Sequence, residues 1–282
     1  MILSFHPCFV PDAQVILADR KLNAEDRRLI RSAEAIILPQ TCSLALYKAC
    51  TKSKGHVFPN YELRFKYPGK VGQSILFEKL KISQPATKRW PSVKKFRDYL
   101  KIKSRSPHET PFFLKTDTSH EGEGVFLVAN EQNLEAALVR LEKTGPERFI
   151  SQEQIPCRGN VLRTVVLHKE IISYWKRADP SHGAISTVNR GARMDKKWKP
   201  ELQEKGKAQT QWICEKTGIN LAALDFVFNL HDPDPLPFLL EINYYFGRKG
   251  LGGSLNYYGL LLKAIQEWLE EKGLDPKRVQ LV

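Results

Sequence analysis

Two apolar segments near the carboxyl end of the chain, AALDFVFNL and PFLLEINYYFG, carry oxygen-bearing side chains among hydrophobic neighbours. A proline-rich stretch, HDPDPLP, joins them, so the pattern predicts two neighbouring strands. Asp225 lies in the middle of the first strand, whereas Glu241 and Asn243 are two residues apart and face the same side of the second. A buried carboxylate without a partner is costly, and three oxygen ligands suit Mg²⁺. The alternative is a polar face on a half-exposed sheet.

A second constraint is the strand–loop–strand segment PFFLKTDTSHEGEGVFLV. Lys115 stands near the end of the first strand, and the loop that follows contains Gly122 and Gly124. Backbone N–H groups of such a loop can hold phosphate oxygens, and the lysine adds a positive charge. The segment is neither a Walker A loop nor a dinucleotide-binding fingerprint, because GxxxxGK[ST] and a helix-opening GxGxxG are both absent. A plain β-hairpin with a glycine bulge is the alternative.

Three arginines lie between the hairpin and the predicted metal strands: Arg163 in VLRTVV, Arg177 in SYWKRA and Arg190 in TVNRGAR. Arginine suits bidentate binding of phosphate or carboxylate. Each of them taken alone is more often a surface residue. The segment SQEQIP reads as a strand edge before a proline and could offer backbone groups to a purine ring.

Composition narrows the class of protein. The chain has 282 residues, 42% hydrophobic and 27% charged, which is typical of a globular protein. No apolar run approaches the ~20 residues that span a bilayer, and the first residues lack a secretory signal, so we expect a cytoplasmic protein without membrane contact. Five cysteines without a CxxC pair argue against a disulfide framework and a zinc site. The net charge of +13 attracts anions, but the absence of RNA-binding motifs and zinc fingers favours a solvated basic surface over dedicated nucleic-acid binding.

The order of the patterns predicts an α/β (α+β) protein with two domains. Residues 1–66 alternate strands (QVILA, AIILP, HVFPN) with helices (AEDRRLIRSAE, SLALYKACTKSK), which indicates a small α/β domain. Helices are predicted at VGQSILFEKLK and SVKKFRDYLKIK, and paired strands from Pro111 onward. We assign residues 67–282 to a second domain.

Taken in order, these features resemble the ATP-grasp superfamily, and the RimK-type amino-acid ligases in particular, from about Lys70 to the last helix. PGKVGQSILFEKLKISQPAT resembles the family helix that begins with a phosphate-contacting lysine. The hairpin resembles the second lysine and the mobile glycine-rich loop. ISQEQI resembles the segment that holds adenine, and LDFVF with LLEIN resembles the metal-binding strands. The resemblance implies nucleotide contacts at Lys70, Lys115, Gly122, Gly124, Glu153, Gln154 and Ile155, metal ligands at Asp225, Glu241 and Asn243, and catalytic contacts at Arg190, Arg177 and Arg163.

The resemblance also implies an architecture, in which the small α/β domain precedes two α+β subdomains, a lid at about 90–155 and a metal-binding part at about 156–282. Their antiparallel sheets enclose ATP with Mg²⁺, or Mn²⁺ as an alternative ion. Two departures stand out. Val161 replaces the aspartate that the family has two residues before the arginine matching Arg163, and Asn160 is a candidate to replace its ribose contact. The loop YYFGRKGLGGSLNYYG is longer and more basic than the family's proline-glycine turn. This loop borders the acceptor site, so the resemblance leaves the substrate open.

The implied activity is a carboxylate–amine ligase that forms an amide or peptide bond through an acylphosphate, with ATP and a small carboxylate and amine pair as substrates. In the basic loop, Gly250, Gly252 and Gly253 would allow close approach of an acceptor, and Arg248 and Lys249 would bind its carboxylate. A kinase on the same fold, acting on a small anionic or hydroxyl substrate, is the alternative. A non-enzymatic nucleotide-binding or nucleic-acid-binding module is the third, and the sequence is compatible with a homodimer.

Overall fold

The computed structural model describes residues 1–118, 124–144, 148–178 and 192–282. In these ranges no helix combines the length and the apolar character needed to cross a bilayer.

The amino-terminal part contains a small parallel sheet of four strands in the order β3-β1-β4-β5. Its elements are β1 (Ile2–Ser4), β2 (Phe9–Val10), β3 (Ala13–Gln14), α1 (Ala24–Ser32), β4 (Ala35–Ile37), α2 (Leu44–Thr51), β5 (His56–Phe58) and α3 (Glu62–Lys66). Helix α1 begins with a capping box, in which the Asn23 side chain accepts the backbone N–H of Asp26 and the Asp26 side chain accepts that of Asn23. The predicted α/β alternation is confirmed.

The predicted first strand is wrong in position. The central strand of this sheet is Ile2–Ser4, which is completely buried, whereas only the start of QVILA pairs as a strand. Ile16 is 51% exposed because the chain leaves the sheet edge after Val15. Three buried residues are too few to show a strand period, so the sequence pattern pointed to the longer apolar run instead.

The middle of the chain forms helix α4 (Gly69–Lys79) and a four-stranded antiparallel sheet with the order β6-β9-β7-β8. We call this four-stranded sheet, together with helices α5 and α6, the lid. Helices α5 and α6 share a core with the sheet that includes Phe96, Phe112 and Phe149. The bounds are β6 (Thr87–Trp90), α5 (Val93–Lys103), β7 (Phe112–Thr116), β8 (Val125–Val128), α6 (Glu131–Thr144) and β9 (Phe149–Glu153). Strand β6 was not expected, because TKRW has no apolar alternation.

The carboxyl-terminal part contains a five-stranded antiparallel sheet, in the order β12-β11-β10-β13-β14. Helix α7 packs on one face, where a methyl group on Gly206 would lie 2.3 Å from a Leu162 methyl carbon, and helix α8 packs on the other. The bounds are β10 (Val161–Leu167), β11 (Glu170–Arg177), β12 (Arg193–Asp195), α7 (Pro200–Thr217), β13 (Leu221–Val227), β14 (Phe238–Asn243), α8 (Gly253–Glu271) and β15 (Gln280–Leu281).

The amino-terminal sheet and the five-stranded sheet share their hydrophobic cores. Ile2 and Ile37 lie in one cluster with Ile265 of α8, and Leu3 and Phe226 lie in another. Strand β15 also pairs with β2 in antiparallel orientation. These two parts of the molecule are therefore held together by buried apolar contacts.

Candidate active site

Three charged side chains form a row across the middle of the five-stranded sheet. Arg163 on β10 stands opposite Asp225 on β13, and Asp225 stands opposite Glu241 on β14. Residues opposite one another on antiparallel strands project from the same face. A β-bulge between Asp225 and Phe226 shifts the register of the residues that follow on these two strands.

Asp225 is 2% exposed, and both of its carboxylate oxygens accept hydrogen bonds. Arg163 donates through Nε to Oδ1 and through Nη2 to Oδ2, each at 2.7 Å, and Lys176 donates from Nζ to Oδ2 at 2.8 Å. Burial alone would raise the pKa of this carboxyl, but the charges and hydrogen bonds of Arg163 and Lys176 lower it below the ordinary range. Asp225 is therefore ionised at neutral pH.

Lys176 is a site residue that the sequence analysis missed. It is 7% exposed, and its neighbour Arg177 projects from the opposite face of β11. There the Arg177 guanidinium lies 4.6 Å from the ring centre of Trp198 and donates to Asp195 at 3.2 Å. The structure thus does not bring Arg177 to the row, and the adjacent lysine takes the position beside Asp225.

Glu241 and Asn243 lie at the edge of the row, on the same face of β14. The Asn243 Nδ2 donates to Glu241 Oε1 at 3.0 Å and lies 3.4 Å from Asp225 Oδ2. Because the amide nitrogen of Asn243 is engaged in this way, its Oδ1 atom remains as an oxygen ligand for a metal ion. The Glu241 side chain is 32% exposed, and its Oε2 lies 3.8 Å from Lys70 Nζ.

Lys70 lies in the first turn of α4, and a residue of the lid fixes that turn. Asp117 follows β7 and accepts the backbone N–H of Lys70 through its own carbonyl at 3.0 Å. Its Oδ1 accepts the N–H of Val71 at 2.8 Å, so it caps a helix whose preceding residue, Pro68, has no capping side chain. Gly69 has φ +69°, and a methyl group there would lie 2.3 Å from Asp117 Oδ1. The lid and the position of Lys70 are therefore coupled.

Lys115 comes from β7 of the lid and donates to Gln152 Oε1 on β9 at 2.5 Å. Burial lowers the pKa of Lys115 to about 8; the charge of Glu241 acts against this shift and that of Lys70 adds to it. Within the described residues no carboxylate lies within 4 Å of the ammonium group of Lys115, which is half-buried, so a ligand anion would stabilise this cation.

The predicted adenine segment ISQEQI runs from β9 into the loop that follows it, and the side chains of Glu153 and of the nearby Asn160 are already engaged. Glu153 Oε1 accepts the N–H of Ala86 at 2.7 Å, which fixes the neighbouring strand connection. Asn160, the candidate ribose contact, donates to Cys157 O and Arg158 O and accepts from Ala178 N, so its amide holds the loop instead. Gln154 and Ile155 are half-buried beyond the end of the strand.

The predicted phosphate loop is described only at its ends. Gly124 has φ +69°, a conformation that favours glycine, and its carbonyl accepts the N–H of Thr116 at 2.9 Å. Gly122 and Arg190 lie outside the described residues, so their predicted contacts stay predictions.

The charge balance of the cleft favours a polyanion. Among the described side chains, four cations (Lys70, Lys115, Arg163 and Lys176) accompany two carboxylates (Asp225 and Glu241), an excess of two positive charges. Such fixed cations are suited to hold phosphate oxygens.

The residues also fit a magnesium ion. In the described ranges, no three side chains of His, Cys, Asp or Glu lie together as a metal cluster. The oxygen ligands of the candidate site are instead two carboxylates and one amide. Glu241 and the free Oδ1 of Asn243 are oxygen donors of the kind that Mg²⁺ prefers when phosphates supply further ligands. Asp225 accepts three charge-assisted hydrogen bonds, and Asn243 Nδ2 lies 3.4 Å from its Oδ2, so a metal bound to Asp225 would replace one of these donors.

Three site residues escaped the sequence analysis: Lys176, Asp117 and Gln152. Alternation along β11 allows only one of Lys176 and Arg177 to face Asp225, and the strand register decides which. Gln152 pairs with Phe113 on β7, two residues from Lys115, so the strand register brings its side chain within reach of the lysine. No local pattern identifies Asp117, because it caps a helix that lies 46 residues away in sequence.

No protein-family model and no curated protein matches the sequence. Solved structures do match the fold. An N5-carboxyaminoimidazole ribonucleotide synthetase in complex with ADP has 13% sequence identity and a TM-score of 0.59 over 85% of this chain and 60% of its own. This chain thus spans about three-fifths of that protein.

Two further structures cover the chain more completely. A RimK-domain ATP-grasp protein from Sphaerobacter thermophilus has 16% identity and a TM-score of 0.58 over 92% of this chain and 97% of its own. D-alanine–D-alanine ligase from Bacillus anthracis has 13% identity and a TM-score of 0.59 over 93% and 88%. At these identities the likeness concerns the fold, and it agrees with the sheets and their order described above. The chain has the ATP-grasp fold.

Proposed function

We propose that this protein is a magnesium-dependent carboxylate–amine ligase that uses ATP. The observation that carries the proposal is the cleft in which Asp225, Glu241 and Asn243 on one sheet lie beside Lys70 and Lys115, with an excess of positive charge. Three of the matching structures are named as D-alanine–D-alanine or D-Ala:D-Ser ligases, and others hold ADP or ATP.

The four cations would have two different roles when the triphosphate binds. Lys115 and Lys70 would hold phosphate oxygens from the lid and from the start of α4, and Arg163 and Lys176 would keep Asp225 ionised. A magnesium ion on Glu241 and Asn243 would neutralise charge on the phosphates. Because the cations are held in place before the ligand arrives, little reorganisation accompanies phosphoryl transfer.

The chemistry would proceed in two steps. An oxygen of the substrate carboxylate attacks the γ-phosphorus, the bond to the bridging oxygen breaks, and ADP leaves as an acylphosphate forms. An amine then attacks the acyl carbon, loses a proton and expels inorganic phosphate to give the amide. Positioning and electrostatics dominate such a reaction, so a nucleophilic histidine or cysteine is not required.

An amine-dependence assay tests this proposal. ADP and inorganic phosphate would be measured with Mg-ATP and a panel of amino acids and dipeptides, with each amine supplied or withheld. The ligase predicts equal amounts of ADP and phosphate that rise only when both acid and amine are present. ADP with a phosphorylated product and no free phosphate would instead identify the kinase. If Glu241→Gln had the activity of the wild-type protein, the site assignment would be wrong.

A further inference from the structure

A second group of polar side chains lies outside the carboxyl ends of β1 and β4. The chain leaves β1 towards β3 and leaves β4 in the opposite direction, towards β5. In open parallel sheets a crevice forms at such a reversal, and it is where ligands bind. His6 lies on the loop that follows β1, and Gln40 lies on the loop that follows β4.

His6 is held as a neutral hydrogen-bond donor. The backbone N–H of Cys8 donates to Nδ1 at 3.1 Å, so the proton of the neutral ring is on Nε2. Burial and the positive charge of Arg248 lower the pKa of His6 to about 4. The residue is 5% exposed, and the described part of the chain offers no hydrogen-bond partner to its Nε2–H.

Arg248 supplies a fixed cation beside this donor. Its guanidinium carbon lies 4.9 Å from the ring centre of Tyr257 and 4.5 Å from that of Tyr258, and the Tyr258 ring packs edge-on against His6 at 5.6 Å. Nη1 donates to Ser254 Oγ at 3.4 Å, and among the described residues no carboxylate pairs with the guanidinium. Stacking on aromatic faces leaves the planar edge available for a bidentate ligand.

Hydrogen bonds hold the group around His6 and Arg248 next to the row of charged side chains that contains Asp225. The Tyr257 hydroxyl donates to Gln40 Oε1 at 2.9 Å, and Gln40 Nε2 donates to the carbonyl of Tyr244 at 3.2 Å. Tyr244 directly follows the metal-binding strand that ends at Asn243. The crevice and the proposed metal ligands thus share one loop.

We propose that Arg248 and His6 form a subsite for a substrate carboxylate that binds but does not react. One guanidinium and one neutral N–H donor match the single charge and the two oxygens of a carboxylate. A phosphate monoester carries about −1.5 to −2 charges at neutral pH and would keep part of its charge uncompensated. The inference rests on the proposed ligase function. Under that function, one substrate is an acid whose carboxylate binds at the subsite, while a second functional group of the same molecule enters the reaction.

Binding of simple anions to the full chain tests the subsite without any activity. The ring resonances of His6 would be followed by NMR in protein with ¹³C-labelled histidine, and acetate, inorganic phosphate and chloride would be added at matched ionic strength. We expect a saturable shift of the His6 signals with acetate only. Absence of saturation in the wild-type protein overturns the subsite, and tighter binding of phosphate than of acetate overturns the carboxylate assignment.

Two pairs of variants separate the roles of the residues. His6→Asn keeps an acceptor for the Cys8 N–H and removes the donor at the Nε2 position, whereas His6→Gln keeps a donor there. Arg248→Lys keeps the charge, whereas Arg248→Gln removes it. Acetate affinity, followed by isothermal titration calorimetry, should fall about 10- to 100-fold in Arg248→Gln, because a charged hydrogen bond is lost. It should fall less in Arg248→Lys, and it should fall in His6→Asn but not in His6→Gln. Unchanged affinity in Arg248→Gln contradicts the proposal.

A kinetic comparison then links the subsite to the reaction. Each amino acid of the panel would be paired with its primary amide, which has the same shape and no carboxylate. Arg248→Gln should raise the KM of the acid at least tenfold and leave that of the amide unchanged. Acetate binding in a protein that forms no amide with any pair would contradict the ligase and leave the subsite standing.

Discussion

Arg163 and Asp225 stand opposite one another on adjacent antiparallel strands, and the guanidinium donates to both carboxylate oxygens at 2.7 Å. The pair is almost completely buried, and Lys176 joins it on the same face. Its members depend on one another, since removing a single charge from such a group leaves the others without compensation.

Asp225→Asn should therefore destabilise the protein. The substitution keeps the shape of the side chain but leaves two buried cations unpaired, at a cost of about 3–5 kcal/mol in the free energy of unfolding. Urea denaturation measures it. Glu241→Gln is the matched control: its side chain is 32% exposed, so stability should change by less than about 1 kcal/mol while turnover is lost. Equal stability of the two variants would contradict the buried network.

Lys176→Met and Arg177→Met should differ sharply. Lys176 contacts Asp225, whereas Arg177 lies on the opposite face against Trp198. Loss of Lys176 should lower kcat/KM for ATP about 10- to 100-fold, as expected for one charged contact in a preorganised site. Loss of Arg177 should change it less than about threefold, since exposed ion pairs contribute little. Steady-state ADP release would compare the two variants. An equal loss of kcat/KM in both would show that Arg177 also belongs to the site.

Nucleotide affinity should fall as the pH rises above about 8. Lys115 carries its charge below its pKa of about 8 and is neutral above it, and the phosphates bind the charged form. Loss of this one proton should weaken ADP binding by about tenfold per pH unit beyond the pKa. Calorimetry between pH 7 and 10 tests this. Lys115→Arg keeps its charge throughout that range and should flatten the profile, whereas an equally steep profile in this variant would assign the titration to another group.

Gly69→Ala should weaken nucleotide binding through Lys70. The new methyl group meets the Asp117 carboxylate, and the left-handed backbone at Gly69 costs about 1–2 kcal/mol for any other residue. We expect a higher KM for ATP together with lower stability. Gly259→Ala on α8 is the control, because nothing lies within 4 Å of the added group, and it should stabilise the protein by about 1 kcal/mol. An unchanged KM for ATP in Gly69→Ala would show that the cap formed by Asp117 does not determine nucleotide binding by Lys70.

Acid should destabilise the fold through His6. Its pKa is lowered from 6.5 to about 4 in the native protein, so the unfolded chain takes up the proton first as the pH falls. The contribution is fully present above pH 6.5 and decreases towards pH 4, by about 3 kcal/mol. Arg248, Cys8 and Tyr258 are the charged or titratable groups around the ring. His6→Gln, measured by urea denaturation at each pH, should lack this component, and parallel profiles would exclude His6 as its source.

The elements with a clear period were predictable from the sequence. Helices α4 and α5 and the strand pair with Asp225 and Glu241 were expected within a few residues of their bounds, because their apolar patterns are long. The central strand Ile2–Ser4 was missed because it is short and wholly buried. Local patterns also left the choice between Lys176 and Arg177 open, since that choice depends on pairing with strands far away in sequence.

Gly250 packs on the aromatic ring of Tyr174, so closely that a methyl group there would lie 2.2 Å from a ring carbon. Tyr174 is itself buried and stands opposite Arg163 on the neighbouring strand. A side chain at position 250 would push this ring towards the Asp225 pair. Descendants of this protein that acquire new acceptors are thus expected to vary the exposed Lys249 or Tyr245 and to retain glycine at 250.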